Sequence, residues 1–475
     1  MKFTFSKKYS SLAPKKYARV CFMDGKERRV VRLPDRQAGE KGIQCLEIGA
    51  EGGKNIDRRK FIILCRTVIT VAKQNKVRRI AFDLAALKEF KNVSAEELGQ
   101  LLAENLEMAD FEFNAFKTPP KDGFDTVEEV LICGNVSSEF RKKLFTGQEI
   151  GKAVNVCRFL ANTPGGDMTP TVLARAAKNA ARGLPIKVTT LDEKEMKRIG
   201  MGALLSVAKG STEKPTFTII EYKGAAWKPI VLVGKGVTFD SGGLNIKTGD
   251  HMYEMHMDMS GAAAALYTVV LAARLKLKKH VIALLPAVEN MPGNGAYRPG
   301  DVLKSLSGKT IEVTNTDAEG RLILADALTY AKRLHPSVVI DIATLTGAAM
   351  VALGLYASGL MTRDDELADK LLAAGEASGD YLWRLPLWDE YEEAVKGIFA
   401  DVSNASMGEG ARYGGAIKAG MFLWQFAKEL SCPWAHLDIA PRMTAAPGDE
   451  LAKGAAGAPV RALIRFIDIW PSTKK

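Results

Sequence analysis

Ile230-Val231-Leu232-Val233-Gly234-Lys235-Gly236-Val237-Thr238-Phe239-Asp240-Ser241-Gly242-Gly243 is the stretch that decides the fold. Its first five residues form an unbroken apolar run, the pattern of a strand that helices cover on both sheet faces. The loop that follows holds a lysine, an aspartate and several glycines, which let backbone approach a ligand closely. In open α/β sheets ligands bind beyond the carboxyl ends of strands. One stretch therefore implies a layered α/β domain and the place of its site.

Working outward, strand-like runs recur at residues 217–222, 281–286, 310–313, 338–342 and 434–439, with helical patterns at 260–275, 322–334, 364–375 and 416–430. This alternation predicts a larger α/β domain with a central mixed, mostly parallel sheet. Upstream, strand-like runs at 17–23, 79–84 and 127–133 are separated by helical patterns at 57–76 and 94–116, which predicts a smaller N-terminal α/β domain of βαβ units. A long amphipathic stretch, 137–161, ends at the breaker cluster Asn162-Thr163-Pro164-Gly165-Gly166. The expected division is an N-terminal domain at 1–150, an interdomain helix and linker at 151–168, and a catalytic domain at 169–475.

A length of 475 residues favours two or three domains, and 47% hydrophobic with 25% charged residues is ordinary for a soluble globular protein. The formal charge of +11 would attract acidic partners, nucleic acid included. The Lys and Arg residues are scattered without interleaved aromatics, however, and read as solvated faces. The six cysteines are far apart with no CxxC, so reduced thiols in a cytoplasmic protein are expected. No run approaches the roughly 18 apolar residues of a membrane span.

The heptapeptide Asn315-Thr316-Asp317-Ala318-Glu319-Gly320-Arg321 follows another strand-like run. If extended, it would put Asp317, Glu319 and Arg321 on one face. Asp240 and Asp258, the latter in Met257-Asp258-Met259-Ser260, bring the count to four carboxylates on three loops. Four carboxylates suffice to hold two divalent cations roughly 3.5–4 Å apart, and oxygen ligands without sulfur admit Zn, Mn, Mg or Co. The blander reading makes Asp317 or Glu319 a helix cap and Arg321 the partner of a local carboxylate. His436, in an apolar strand, reads as a core histidine.

With these residues in view, the chain resembles the leucine aminopeptidase (cytosol aminopeptidase) family of metallopeptidases. Asn315 to Arg321 matches the family's signature, and the segment from Val233 to Lys247 followed by Met257 to Ala263 is similar to its other catalytic segment. Further likeness runs through Glu289-Asn290-Met291-Pro292, Arg298-Pro299-Gly300-Asp301-Val302 and Trp434-Ala435-His436-Leu437-Asp438-Ile439-Ala440. The resemblance implies that Lys235, Asp240, Asp258 and Glu319 bind one metal and that Asp240, Asp317 and Glu319 bind the other. It implies Lys247 as an electrophile at the scissile carbonyl, and Arg321 as the holder of a bicarbonate that acts as general base for the metal-bound water. A peptide with a free N-terminus is the implied substrate, its amine pairing with Asp258. The implied side-chain pocket comprises Met255, Thr344, Gly347 and Ala455, with backbone at Leu345 receiving the peptide, and leucine-like first residues are favoured. A homohexamer is implied as well. One departure is Gly166, where relatives commonly carry Asn. The alternative from another class is DNA binding on the same scaffold, alongside or instead of peptidase activity.

Overall fold

The computed structural model describes residues 1–7, 17–35 and 39–471. It divides into two compact units, Met1–Asn155 with Pro447–Lys453, and Val156–Ala446 with Gly454–Lys475. The first boundary falls inside one continuous helix, Ser138–Asn162. The return of seven C-terminal residues to the first unit has no sequence signal.

The first unit is a six-stranded sheet built from β1 (Lys2–Ser6), β2 (Ala18–Met23), β3 (Arg28–Asp35), β4 (Gly39–Gly49), β5 (Arg79–Asp83) and β6 (Glu129–Cys133), in the order β1-β6-β5-β2-β4-β3. Only the β3–β4 pair is antiparallel. Helices Arg58–Gln74 and Ala95–Asp110 start where Asp57 and Ser94 accept the amides of Lys60 and Glu97, at 2.8 and 3.3 Å. Such caps contribute about 1 kcal/mol each. Both helices bury apolar faces in one core with Phe61, Val68, Leu102 and Ile80. Cys21 on β2 and Cys45 on β4 are joined by a disulfide. The expectation of reduced thiols therefore holds only for Cys65, Cys133, Cys157 and Cys432.

The second unit continues with β7 (Ile186–Leu191), β8 (Thr216–Lys223), β9 (Ile230–Gly234), β10 (Gly236–Asp240), β11 (His280–Asn290), β12 (Val302–Lys304), β13 (Thr310–Glu312), β14 (Val338–Ala343), β15 (Ser358–Met361), β16 (Leu382–Arg384), β17 (Val402–Ser403) and β18 (Trp434–Asp438). Its main sheet has nine strands in the order β16-β15-β18-β14-β9-β11-β8-β7, with β10 also paired to β11. The centre, β18-β14-β9-β11, is parallel, and antiparallel strands β8 and β7 extend one edge. This is the mixed, mostly parallel sheet expected. β12, β13 and β17 form a small separate sheet.

The quoted apolar run is β9, every residue of it buried. Helix Ser260–Arg274 lies against it at backbone distance: a Cβ on Gly234 would stand 2.5 Å from the Gly261 carbonyl oxygen, and one on Gly261 would stand 2.1 Å from that of Ile342. Small residues thus fix the separation between the loop after β9 and the loop before this helix, and both carry site residues.

Buried Asp326, on helix Gly320–Ala331, accepts the amides of Leu204 at 2.9 Å and Leu306 at 2.7 Å. Truncation to alanine would orphan two buried donors. We expect Asp326→Ala to cost about 2–4 kcal/mol by denaturant unfolding and Asp326→Asn clearly less; equal costs would show that the carboxylate is not what holds these segments.

Across β14 and β18, Asp341 and His436 are register partners and both are fully buried. The Asp341 carboxylate takes the Trp434 indole N–H at 2.7 Å and stands 2.5 Å from His436 Nδ1. Burial alone would lower the His436 pKa, but Asp341 outweighs it and raises the value above the ordinary 6.5. A raised folded-state pKa means the pair's stabilisation is complete below the unfolded value and is lost as pH climbs through the folded one. Asp341→Asn should remove that pH dependence and cost about 3–5 kcal/mol. Melting temperatures measured across neutral to alkaline pH would show it, and an unchanged pH slope would reject the assignment. No helix is long and apolar enough to cross a membrane among the described residues.

A carboxylate cluster at the strand ends

Lys235 directly follows β9, and Asp240 closes β10. Gly242 and Gly243, with φ of +85° and +63°, then turn the chain so that Lys247 folds back over the strand ends. Asp258 lies one residue before Met259, the N-cap of helix Ser260–Arg274. Asp317 and Glu319 lie between β13 and helix Gly320–Ala331. The three loops thus deliver all four carboxylates to one volume.

The heptapeptide does this by a different route from the one expected. It is not extended: Thr316 and Asp317 form a turn, and Glu319 sits at the helix N-cap with helical backbone and no capping bond from its side chain. Arg321, one residue into the helix, donates from Nη1 to the Asn404 carbonyl at 2.6 Å. Gly320 is needed between them, because a Cβ there would lie 2.5 Å from Lys235 Cε and 2.7 Å from Nζ. Asn404 also holds the turn, donating to the Asn315 carbonyl at 2.7 Å and accepting the Thr314 amide at 2.8 Å. Sequence reading missed it.

Oxygens of Asp240, Asp317 and Glu319 lie within 4.8 Å of one another. Lys235 Nζ stands 2.8 Å from both Asp258 Oδ2 and Glu319 Oε1, and donates to the Thr344 carbonyl at 2.9 Å. Lys247 Nζ stands 2.9 Å from Asp240 Oδ2 and 2.5 Å from Asp317 Oδ1. Each ammonium therefore straddles a pair of carboxylates. Asp258 Oδ2, Asp317 Oδ1 and Glu319 Oε1 nonetheless have no aligned hydrogen bond. Asp240 is oriented by the Asn290 amide at 2.8 Å and the Gly242 amide at 2.9 Å, and Asp258 by the Thr344 hydroxyl at 2.6 Å.

Burial pushes the Glu319 pKa up to about 8 and that of Asp258 to about 6, with Asp240 adding repulsion to both, while Lys235 pulls each back. Asp317 is raised for the same reasons, burial first. Lys235 and Lys247 feel burial downward, but the surrounding carboxylates carry both above the ordinary lysine range. Four carboxylates against two ammonium groups leave an excess of negative charge, in a buried place where carboxylates seldom gather without cations. Hard oxygen donors with misaligned lone pairs fit divalent metal ions. Burial also depresses Arg321 to about 10, and its Nε has no hydrogen-bond partner.

A cavity of about 470 Å³ opens over the cluster, and its lining includes Lys235, Asp240, Lys247, Met255, Asp258, Asp317, Glu319, Thr344, Leu345 and Gly347. Met350, Ala440, Met443 and His251 also line it. Sequence reading had placed none of these four in the site, although the strand-end rule pointed to Ala440 after β18. Ala455 is not in the lining; its amide and carbonyl are held by Asn162 at 2.8 Å and Arg158 at 2.9 Å, and the next amide, of Ala456, donates to the carbonyl of the lining residue Met443 at 3.0 Å. Arg321 is not in the lining either. The loop beneath the cavity hangs on Asp438, whose carboxylate takes the Leu345 amide at 3.1 Å and the Thr346 hydroxyl at 2.7 Å. Gly166, the departure noted above, has open space where a side chain would stand.

A family-wide sequence profile, that of the cytosol aminopeptidase family catalytic domain, matches residues 155–464. A probable cytosol aminopeptidase of Roseiflexus castenholzii is 42% identical over 456 residues, which is 94% of this chain and 91% of that one. One from Nitrosococcus oceani is 52% identical over 324 residues, 68% of this chain and 63% of that protein. Among solved structures, the bottromycin maturation enzyme BotP in complex with Mn superposes with a TM-score of 0.85 at 31% identity, over 95% of this chain and 99% of that one. With the buried carboxylate cluster at the carboxyl ends of its strands, the chain belongs to the cytosol aminopeptidase family and is a metal-dependent aminopeptidase.

Proposed function

We propose that the protein releases leucine-like N-terminal residues from peptides with two divalent ions and a bicarbonate. The observation that carries this is the meeting of Asp240, Asp258, Asp317 and Glu319, with only Lys235 and Lys247 to balance them. Lys235, Asp240, Asp258 and Glu319 would hold one ion, and Asp240, Asp317 and Glu319 the other. Once bound, such ions supply Lewis acidity and lower the pKa of water. Manganese is a natural first choice, since it accompanies BotP, and zinc the second.

The chain's own groups do the rest. The carboxylate of Asp258 receives the substrate's ammonium, which makes the enzyme an exopeptidase. Lys247 stabilises charge that develops on the carbonyl oxygen. Arg321, with an unpartnered Nε and a neighbouring helix N-terminus, favours a small planar anion, and bicarbonate placed there serves as base. Met255, Met350, Met443 and Leu345 present adaptable apolar surface to the first side chain. Hydrophobic pockets separate similar side chains only modestly, so a graded preference follows rather than strict choice.

The homohexamer belongs to the same proposal and is read by light scattering. No comparison favours the DNA-binding alternative. The deciding experiment is release of leucine from leucine amide by Mn-loaded and Zn-loaded protein, with N-acetyl-leucine amide as control. Hydrolysis of the free amine alone, dependent on metal and increased by bicarbonate, is expected. Equal cleavage of the acetylated compound, or none of either, would overturn the proposal.

A further inference from the structure

We propose that Asn290 is a positioning residue of the metal centre: its side-chain amide stops the Asp240 carboxylate from turning and ties it to the turn that carries Asp317. The inference rests on the ligand set proposed above, in which Asp240 serves both ions. Asn290 lies in the segment Glu289-Asn290-Met291-Pro292, outside the three loops that supply the carboxylates.

Its position has a topological cause. Asn290 closes β11, and the parallel register of β10 with β11 sets it beside Asp240. Its backbone is fixed there, because its carbonyl accepts the Ser241 amide at 3.0 Å and the Ser241 hydroxyl at 2.7 Å. The side-chain NH2 then gives one hydrogen to Asp240 Oδ1 at 2.8 Å and the other to the Thr316 carbonyl at 3.0 Å. Thr316 is the residue before Asp317. Both hydrogens leave one nitrogen in the amide plane, so the two acceptors cannot shift independently. Asp240 Oδ1 also accepts the Gly242 amide at 2.9 Å. Two bonds thus fall on one oxygen, which leaves Oδ2, 2.9 Å from Lys247 Nζ, as the oxygen available to a cation.

The ordinary alternative is a buried amide that only braces the fold, and two observations oppose it. Asn290 is fully buried, yet its Oδ1 has no hydrogen-bond partner among the described residues, so only its donor half is engaged. Both acceptors also keep a donor without it. The Gly242 amide still serves Asp240, and the Tyr297 hydroxyl still serves the Thr316 carbonyl, at 2.7 Å. The turn itself stays pinned, since Thr316 donates from Oγ1 to the Gly242 carbonyl at 2.6 Å and from its amide to Asn245 at 2.8 Å. What Asn290 adds is the second bond on Oδ1, which fixes the plane of the carboxylate. Removing a group that hydrogen-bonds a ligating carboxylate weakens metal binding by about tenfold to a hundredfold.

Calorimetric titration of the full-length, metal-stripped protein with Mn distinguishes the two. Asn290→Ala should weaken Mn binding by about tenfold to a hundredfold. Tyr297→Phe, which removes a bond to the same Thr316 carbonyl without touching Asp240, should bind Mn as the parent does. At saturating Mn, Asn290→Ala should lower kcat for leucine amide about tenfold or more and leave KM within about threefold. Asn290→Leu, close to Asn in volume and without donors, gives the same titration should the alanine variant fold poorly. Mn binding by both Asn290 variants as tight as the parent's would overturn the inference, and so would equal weakening by Tyr297→Phe, which would make the amide one brace among several. A parent that binds Mn but leaves leucine amide intact would instead overturn the proposed function, with the titration unaffected.

Discussion

Glu319→Gln is expected to lower leucine amide hydrolysis by about a thousandfold or more, roughly 4 kcal/mol of transition-state stabilisation, while leaving the metal-stripped protein as stable as its parent. The two halves have one cause. Glu319 is 1% exposed, and its pKa is pushed up by burial and then by Asp240. Glutamine keeps its shape and removes one negative charge from a cluster whose carboxylates outnumber its ammonium groups. Lys235 loses a partner at 2.8 Å but keeps Asp258 at the same distance. Without divalent ions the relief of repulsion offsets that loss. With them the parent gains stability by mass action, about 2.7 kcal/mol at a hundred times the dissociation constant, and the variant should gain far less. Melting curves with and without Mn, metal content and initial rates together test this. A variant that keeps both metals and more than a tenth of the rate would remove Glu319 from the ligand set.

Lys247→Met should lower kcat by about a hundredfold to a thousandfold and leave KM within about threefold. Lys247 Nζ lies between Asp240 and Asp317 at the cavity wall, and its raised pKa keeps it charged throughout the working range. A fixed cation there stabilises negative charge that appears only in the transition state, so its removal acts on kcat and not on binding. Methionine preserves the alkyl stem. Lys247→Arg should recover part of the rate, limited by the larger planar head. An increase in KM with kcat intact would mean that Lys247 serves binding alone.

The parallel centre of the second unit was legible because its strands are continuous apolar runs, and the carboxylates because each follows such a run or precedes a helix. The hairpin of β3 and β4 was not. β3 reads RRVVRLPD and forms the sheet edge, where charge and proline mask the two-residue period. β10, GVTFD, reads as part of the loop after β9, and only its pairing with β11 makes it a strand. The convergence of Asp317 with Glu319 was anticipated by alternation, whereas a turn produces it. Ala440 and Met443 reach the cavity because the chain after β18 bends at once into a short 3-10 turn, Ala440–Arg442, a geometry that position along the chain does not reveal.

The seven residues Pro447–Lys453 give the first unit a dependence on chain synthesis. Arg66, buried in helix Arg58–Gln74, donates from Nη1 to the Asp449 carbonyl at 3.0 Å, and Glu450 meets Arg28. Domains emerging from the ribosome generally fold as units, the N-terminal one first. Here some contacts of the first unit close only after every strand of the second unit has been made, because Pro447–Lys453 follows β18 in the chain. A chain cut before Pro447 would lose the Asp449 carbonyl from Arg66 and the Glu450 carboxylate from Arg28, while Arg66 keeps Asn105 at 2.9 Å.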